Sequence, residues 1–319
     1  MNADRKSDRS IVLQTPANKD AAKASAESAE GRDLTKRNAE QTASPRTQGR
    51  IKRESRGLQG VRDAARKDSK LKFTALLHHI DKPCLTRAFH QLRKTGAVGV
   101  DGVTWHEYEC KLETHIADLH ERIHRGAYRA RPTRRTWIPK ADGRQRPLGI
   151  PSLEDKLVQQ AVLWVLQSVY EQDFLGFSYG FRPHRSQHDA LDALSVAMVT
   201  QKVNWILDAD IQGFFDNIDH EWLIKFLEHR IGDRRILRLI RKWLRAGIIE
   251  DGDWSDTTQG TPQGAVISPL LANVYLHYVL DLWIEWWRKQ HCQGDMIVVR
   301  YEDDFVMGFQ HQREAVACL

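Results

Sequence analysis

The 319-residue chain has few cysteines: Cys84, Cys110, Cys292 and Cys318 lie far apart and form no CxxC pair. That spacing excludes a zinc finger and a disulfide framework, and reduced thiols are expected. No run of eighteen apolar residues occurs, which argues against a membrane-spanning helix. The first ten residues, MNADRKSDRS, lack the apolar segment of a secretory signal, so a cytoplasmic chain with no membrane partner is expected. No Gly-Lys dipeptide occurs, which removes a Walker-type phosphate loop. Residues 1–70 contain no Phe, Trp or Tyr and carry 17 Lys and Arg against 10 Asp and Glu. Such a segment cannot bury enough apolar surface to order itself, and it is read as a disordered basic arm able to touch nucleic-acid phosphates. The other 249 residues carry 31 Lys and Arg against 32 Asp and Glu. The chain's net charge of +6 therefore comes from the arm, and any phosphate-binding surface on the body needs locally clustered cations.

What the body does contain is alternating helix and strand signals. Leu112, Ile116, Leu119 and Ile123 recur at helical spacing. The run TWIPKADGRQRPLGIPS reads as a hairpin around Ala141, Asp142 and Gly143, with Lys140 on one arm and Arg146 on the other. Ser152 with Asp155 marks a helix start, and a second helix is expected over about 187–199. A strand, VNWILDAD, follows. Ser268 and Pro269 open a long helix through SPLLANVYLHYVLDLWIEWW, with proline where its missing N–H costs nothing. Helices between strands, with one hairpin near the end, predict an α+β domain over residues 71–319 rather than a doubly wound sheet.

The acids carry the chemistry. Two short apolar runs, Met296–Val299 and Phe305–Phe309, flank Glu302, Asp303 and Asp304, which places three consecutive carboxylates at a hairpin tip. Adjacent carboxylates raise one another's pKa and call for a cation. The strand ending in Asp208 and Asp210 carries acids at the same kind of position. If the two strands are neighbours, Asp210, Asp303 and Asp304 form a hard-oxygen site suited to Mg²⁺. Two ions about 4 Å apart would activate a sugar 3′-hydroxyl and stabilise a leaving pyrophosphate. Lys140 and Arg146 would then clamp the triphosphate.

Five ordered blocks turn this pattern into a resemblance: IPKADGRQRPLGIPSLEDKLVQQAV, YGFRPHRSQHDAL, DADIQGFFDNIDH, QGTPQGAVISPLLANVYLH and VRYEDDFVMGF, preceded by AVGVDGVT at 97–104. From there to its end the chain resembles the reverse transcriptases encoded by bacterial group II introns. The resemblance implies a right-hand polymerase, here its fingers and an incomplete palm without a thumb, that copies an RNA template from a DNA primer with dNTPs and two Mg²⁺ ions. Asp210, Asp303 and Asp304 match the metal-binding aspartates, with Asp208 the weaker candidate. Phe215 falls where the family places the aromatic that rejects a 2′-hydroxyl, and Gln263 and Gly264 match the loop beside the incoming nucleotide. Arg182 and Arg185 would contact the template or order the fingers. One departure is Glu302, where the family most often has alanine. The alternative reading is a non-catalytic intron RNA-binding splicing factor or an inactive remnant, and the intact set of acids with Lys140 and Arg146 favours the enzyme.

Overall fold

The computed structural model describes residues 56–139, 143, 145–250 and 252–319; residues 1–55 and Lys140 lie outside the described residues. The described chain opens with helix α1 (Arg56–Lys67), on which Leu58, Val61 and Ala65 form a buried stripe against the body. This corrects the expectation of disorder up to residue 70. A narrow stripe without aromatics suffices because Arg230, 2% exposed, donates to the carbonyls of Ala65, Asp68 and Leu71 at 3.2, 2.9 and 2.9 Å. It thereby satisfies the end of the helix from the body side.

The chain continues through α2 (Lys82–Gln91), α3 (Trp105–Glu109), α4 (Leu112–His124), β1 (Thr133–Pro139), β2 (Gln145–Ile150), α5 (Leu153–Tyr170), α6 (Gln187–Thr200) and β3 (Trp205–Asp210). Then come α7 (His220–Arg230), α8 (Arg234–Leu244), β4 (Ile248–Glu250), β5 (Asp253–Ser255), α9 (Ser268–Leu276), α10 (Leu282–His291), β6 (Met296–Tyr301), β7 (Asp304–Phe309) and α11 (Gln312–Cys318). The α+β class is as expected. Side-chain caps fix several helix starts: Ser152 accepts from the Asp155 N–H to begin α5, and Ser186 forms a reciprocal box with Asp189 at α6. Helix α5 is the centre of the core. Its Leu157, Val158, Ala161, Val162, Val165 and Leu166 are all fully buried, which is the pattern of a helix enclosed by its neighbours rather than lying on a surface.

Two sheets flank this core, one in the order β2-β1-β4-β5 and one in the order β3-β7-β6. Strands β4 and β5 were not legible from the sequence, being three residues each. The three-stranded sheet packs Met296, Val298, Met307 and Phe309 onto Ile284 and Trp287 of α10. The helix expected to run unbroken from Ser268 is instead interrupted by a π turn at His277–Asp281 between α9 and α10. Clustered cations of the body lie on α8, which buries Ile236, Leu237, Ile240 and Trp243 and exposes Arg234, Arg235, Arg238 and Arg241. Among the described residues, no helix is long and apolar enough to cross a membrane, and the four cysteines are unpaired.

Asp233 ties the start of α8 to the segment before α2. It is 2% exposed and accepts from the Leu76 and Leu77 N–H groups at 2.8 and 3.0 Å and from the Arg235 guanidinium. Burial pushes its pKa up, but the hydrogen bonds outweigh burial and hold it at about 2, below the ordinary 3.8. Its stabilising contribution is therefore complete above about pH 4 and is lost as pH falls toward 2. Asp233→Ala, which strands two amide donors, is expected to lower the unfolding free energy by about 1–3 kcal/mol in urea titrations at pH 7. The difference from the native chain should shrink at pH 2–3.

Candidate active site

The register of the three-stranded sheet brings the acids together. Strand β3 pairs antiparallel with β7 so that Asp210 faces Asp304, and β7 pairs with β6 so that Asp304 also faces Tyr301. Directly opposed residues of such a ladder have Cβ atoms about 4.5–5.5 Å apart. A two-residue turn, Glu302 and Asp303, closes the β6–β7 hairpin. Only the first of the two has positive φ, +61° at Glu302, the sign pattern of a type II′ turn that normally takes glycine there. Asp208, two residues before Asp210, lies on the same face of β3 opposite Val306.

The carboxylates feel one another. Burial raises the pKa of Asp304, and the charge of Asp210, then that of Asp303, a hydrogen bond with Asp210 and the charge of Asp208 raise it further. Glu302 is raised by burial and by Asp303 and Asp304, while the nearby Arg146 guanidinium works against the rise. Arg146, exposed on β2, is thus close enough for its charge to be felt at Glu302. Lys140, its expected partner, lies outside the described residues.

The other expected site residues are held by contacts of their own. Phe214 is buried in the core, whereas Phe215 is half-buried and meets the Phe181 ring edge-on at 6.2 Å between centroids. The turn carrying both docks on the 260–264 loop, where Thr261 N–H donates to the Phe215 carbonyl at 2.9 Å. Gln263 accepts through its carbonyl from the Gly149 N–H of β2 at 2.7 Å. Gly264 has φ +105°, and a Cβ there would stand 3.1 Å from the Gly149 carbonyl oxygen. Its glycine thus has a backbone reason of its own: a left-handed conformation packed on β2.

Of the two roles expected for Arg182, contacting the template or ordering the fingers, its surroundings fit the second. Its side chain is 4% exposed, pairs with Glu171 at 3.0 Å and donates to the Leu175 and Ser178 carbonyls at 2.9 and 2.8 Å. A guanidinium enclosed in this way orders its loop and cannot reach a nucleic acid. Arg185 is half-exposed. It donates to the Gly176 and Ser178 carbonyls and lies 5.0 Å from the centre of the Tyr179 ring.

Sequence reasoning missed Arg300, which is fully buried directly behind the acidic turn. It forms a fork on Asp281, 2.7 Å to each oxygen, and also donates to Ser178 Oγ at 2.7 Å, Asn273 Oδ1 at 3.0 Å and the Glu302 carbonyl at 2.8 Å. The signal was present: an arginine inside the apolar run MIVVRY must have a partner, and Asp281 stands in an equally apolar helix. His277 does not compete for Asp281. Burial lowers its pKa to about 4 despite the aspartate 4.0 Å away, so it is neutral at pH 7.

Among the described residues, no three His, Cys, Asp or Glu side chains form a ready-made metal cage. An exposed Asp210 and Asp304, joined across one ladder and short of positive charge, fit instead a hard cation that takes one or two carboxylates and completes its shell with water and phosphate oxygens.

The comparison with known proteins decides the family. Residues 138–319 match the family model described as reverse transcriptase (RNA-dependent DNA polymerase). The chain belongs to the reverse transcriptase family. Among its relatives, protein YkfC of Escherichia coli K12 is 35% identical over 68% of this chain and 65% of its own length. The group II intron-encoded protein LtrA of Lactococcus lactis is 38% identical over 66% of this chain and 36% of its own. An uncharacterised 91 kDa protein in the cob intron of Schizosaccharomyces pombe is 45% identical over 48% of the chain. The chain spans about two thirds of YkfC and about a third of LtrA. Members of the reverse transcriptase family use divalent metal ions and dNTPs, which is the chemistry the acidic tip suits.

Asp210 raises the proton affinity of Asp304 by charge and by a shared hydrogen bond. Asp210→Asn should therefore lower the Asp304 pKa toward the ordinary carboxylate value. Carboxyl-carbon NMR titration of the metal-free protein measures it; an unmoved Asp304 would mean that the two side chains do not interact.

Proposed function

We propose that the chain is an RNA-directed DNA polymerase of a mobile group II intron, adding dNTPs to the 3′-hydroxyl of a DNA primer on an RNA template in the cytoplasm. The observation that carries this reading is the Asp210–Asp304 pairing across β3 and β7, with Asp303 in the adjoining turn. These three would hold two Mg²⁺ ions, which supply Lewis-acid activation of the hydroxyl and neutralise charge on the departing pyrophosphate.

The remaining work falls to this chain's own side chains. Arg146, whose charge reaches Glu302 from β2, orients the triphosphate as a bidentate fork, and Lys140 adds a point charge from the same hairpin. Phe215 lies under the sugar and excludes a 2′-hydroxyl by volume. Its half-buried position beside Phe181, one residue past the buried Phe214, supports that role. Gln263 and Gly264, tied by backbone to β2, form the adjoining wall at the nucleotide and template. Arg185 keeps enough exposure to contact the template strand. The basic face of α8 offers phosphate contacts to the RNA partner.

Primer extension on an RNA template in Mg²⁺ tests the reading. Asp210→Ala, Asp303→Ala and Asp304→Ala should each reduce extension by roughly a thousandfold, since metal-assisted charge stabilisation is worth several kcal/mol. Phe215→Val should retain dNTP addition while admitting rNTPs. Equal extension by the native chain and Asp304→Ala would favour the non-catalytic splicing reading.

A further inference from the structure

The turn that carries Asp303 has a conformation its own residues do not favour. Glu302 sits at φ +61°, a region that a side-chain-bearing residue enters at a cost and glycine enters freely. A type II′ position of this kind is ordinarily glycine. Something outside the turn must hold it, because a relaxed Glu302 would swing Asp303 and the first residue of β7 away from Asp210.

We propose that Arg300 is a positioning residue for nucleotidyl transfer, clamping Glu302 in its left-handed conformation and so aiming Asp303 and Asp304. The inference rests on the polymerase reading of those acids. Arginine has five N–H groups, and here every one is engaged: Nε with Asp281 Oδ1, Nη2 with Asp281 Oδ2 and Ser178 Oγ, Nη1 with Asn273 Oδ1 and the Glu302 carbonyl. Four of the five bonds fix the guanidinium plane to the protein body, and the fifth, at 2.8 Å, delivers that rigidity to the turn. The backbone of Arg300 is fixed as well. Its N–H donates to the Phe177 carbonyl at 2.9 Å, and its carbonyl accepts from Tyr179 N–H at 2.8 Å.

The other side of the turn is closed by Gly180. A Cβ at Gly180 would stand 2.3 Å from Glu302 N and 2.5 Å from Glu302 Cγ, so only glycine lets the loop roof the turn. Asn273 joins both halves, accepting from Arg300 and donating through Nδ2 to the Gly180 carbonyl at 2.7 Å. Glu302 is thus held between a buried fork and a backbone roof. A lysine could supply the charge at position 300 but could not form the fork on Asp281 and reach Asn273 and Glu302 together.

The test exploits the turn's preference for glycine. Arg300→Met with Asp281→Leu replaces the buried pair by apolar side chains, an exchange that folds often tolerate. Melting should show a folded protein, while kcat and Mn²⁺ affinity by electron paramagnetic resonance should each fall about 10–100-fold, as for loss of groups that orient metal ligands. Exchange of the amides of residues 302–304 should speed up by about tenfold. Adding Glu302→Gly should recover much of the kcat and Mn²⁺ losses, whereas the same change in the native chain should give no gain. If the double variant does not fold, Ser178→Ala with Asn273→Ala loosens the guanidinium in its place and should show the same losses and the same recovery. Unchanged Mn²⁺ affinity and amide exchange in a folded clamp variant, or losses that Glu302→Gly does not recover, would overturn the proposal. Failure of the polymerase reading looks different: the native chain would not extend a primer, while amide exchange would still report on the clamp.

Discussion

Carboxylates that face one another across a β ladder repel, and the site depends on the fold tolerating that repulsion at the Asp210–Asp304 pair. Left to themselves the two side chains would splay or take up a proton. The sheet resists the first outcome because its inner face is anchored: Met296, Val298, Met307 and Phe309 are buried on α10, so neither β6 nor β7 can slide without exposing a row of apolar side chains. What remains is a fixed excess of negative charge at an exposed sheet end, and such a surface gains most from a hard cation and from phosphate-bound groups that arrive with one.

Positive charge is disposed around this excess in two ways. Arg146 is exposed on β2 of the other sheet, and its charge lowers the proton affinity of Glu302. Arg300 lies behind the tip, fully buried, with all of its donors engaged. The first cation is exposed, and the second is committed to the protein's own groups. Arg182 falls into the second class too, since Glu171 and two carbonyls enclose it. The burial of each arginine, rather than its place in a motif, separates the roles.

Features set by short-range pattern were legible in the sequence. The pairing of the strands on either side of residue 143, the capped start at Ser152, the helix over about 187–199, the strand ending at Asp210 and the acidic turn all follow from periodicity and turn chemistry, and each is present. The convergence of Asp210 with Asp304 could be posed from the sequence only as a condition on strand pairing, which the register meets. The π turn at His277–Asp281 could not be read, because one extra residue in a helical turn leaves the apolar spacing nearly intact. Helix α1 was overlooked since three small or medium apolar residues fall below the signal of a self-sufficient segment; a buried arginine 160 or more residues later completes it. Strands β4 and β5 are too short to show an alternation.

Anomalous diffraction from a crystal grown with Mn²⁺, an RNA–DNA template-primer and a non-hydrolysable dNTP tests the central claim most directly. Manganese peaks are expected within coordination distance of Asp210 and Asp304 and of the nucleotide phosphates. Manganese bound elsewhere, with those two carboxylates turned away from the nucleotide, would contradict it.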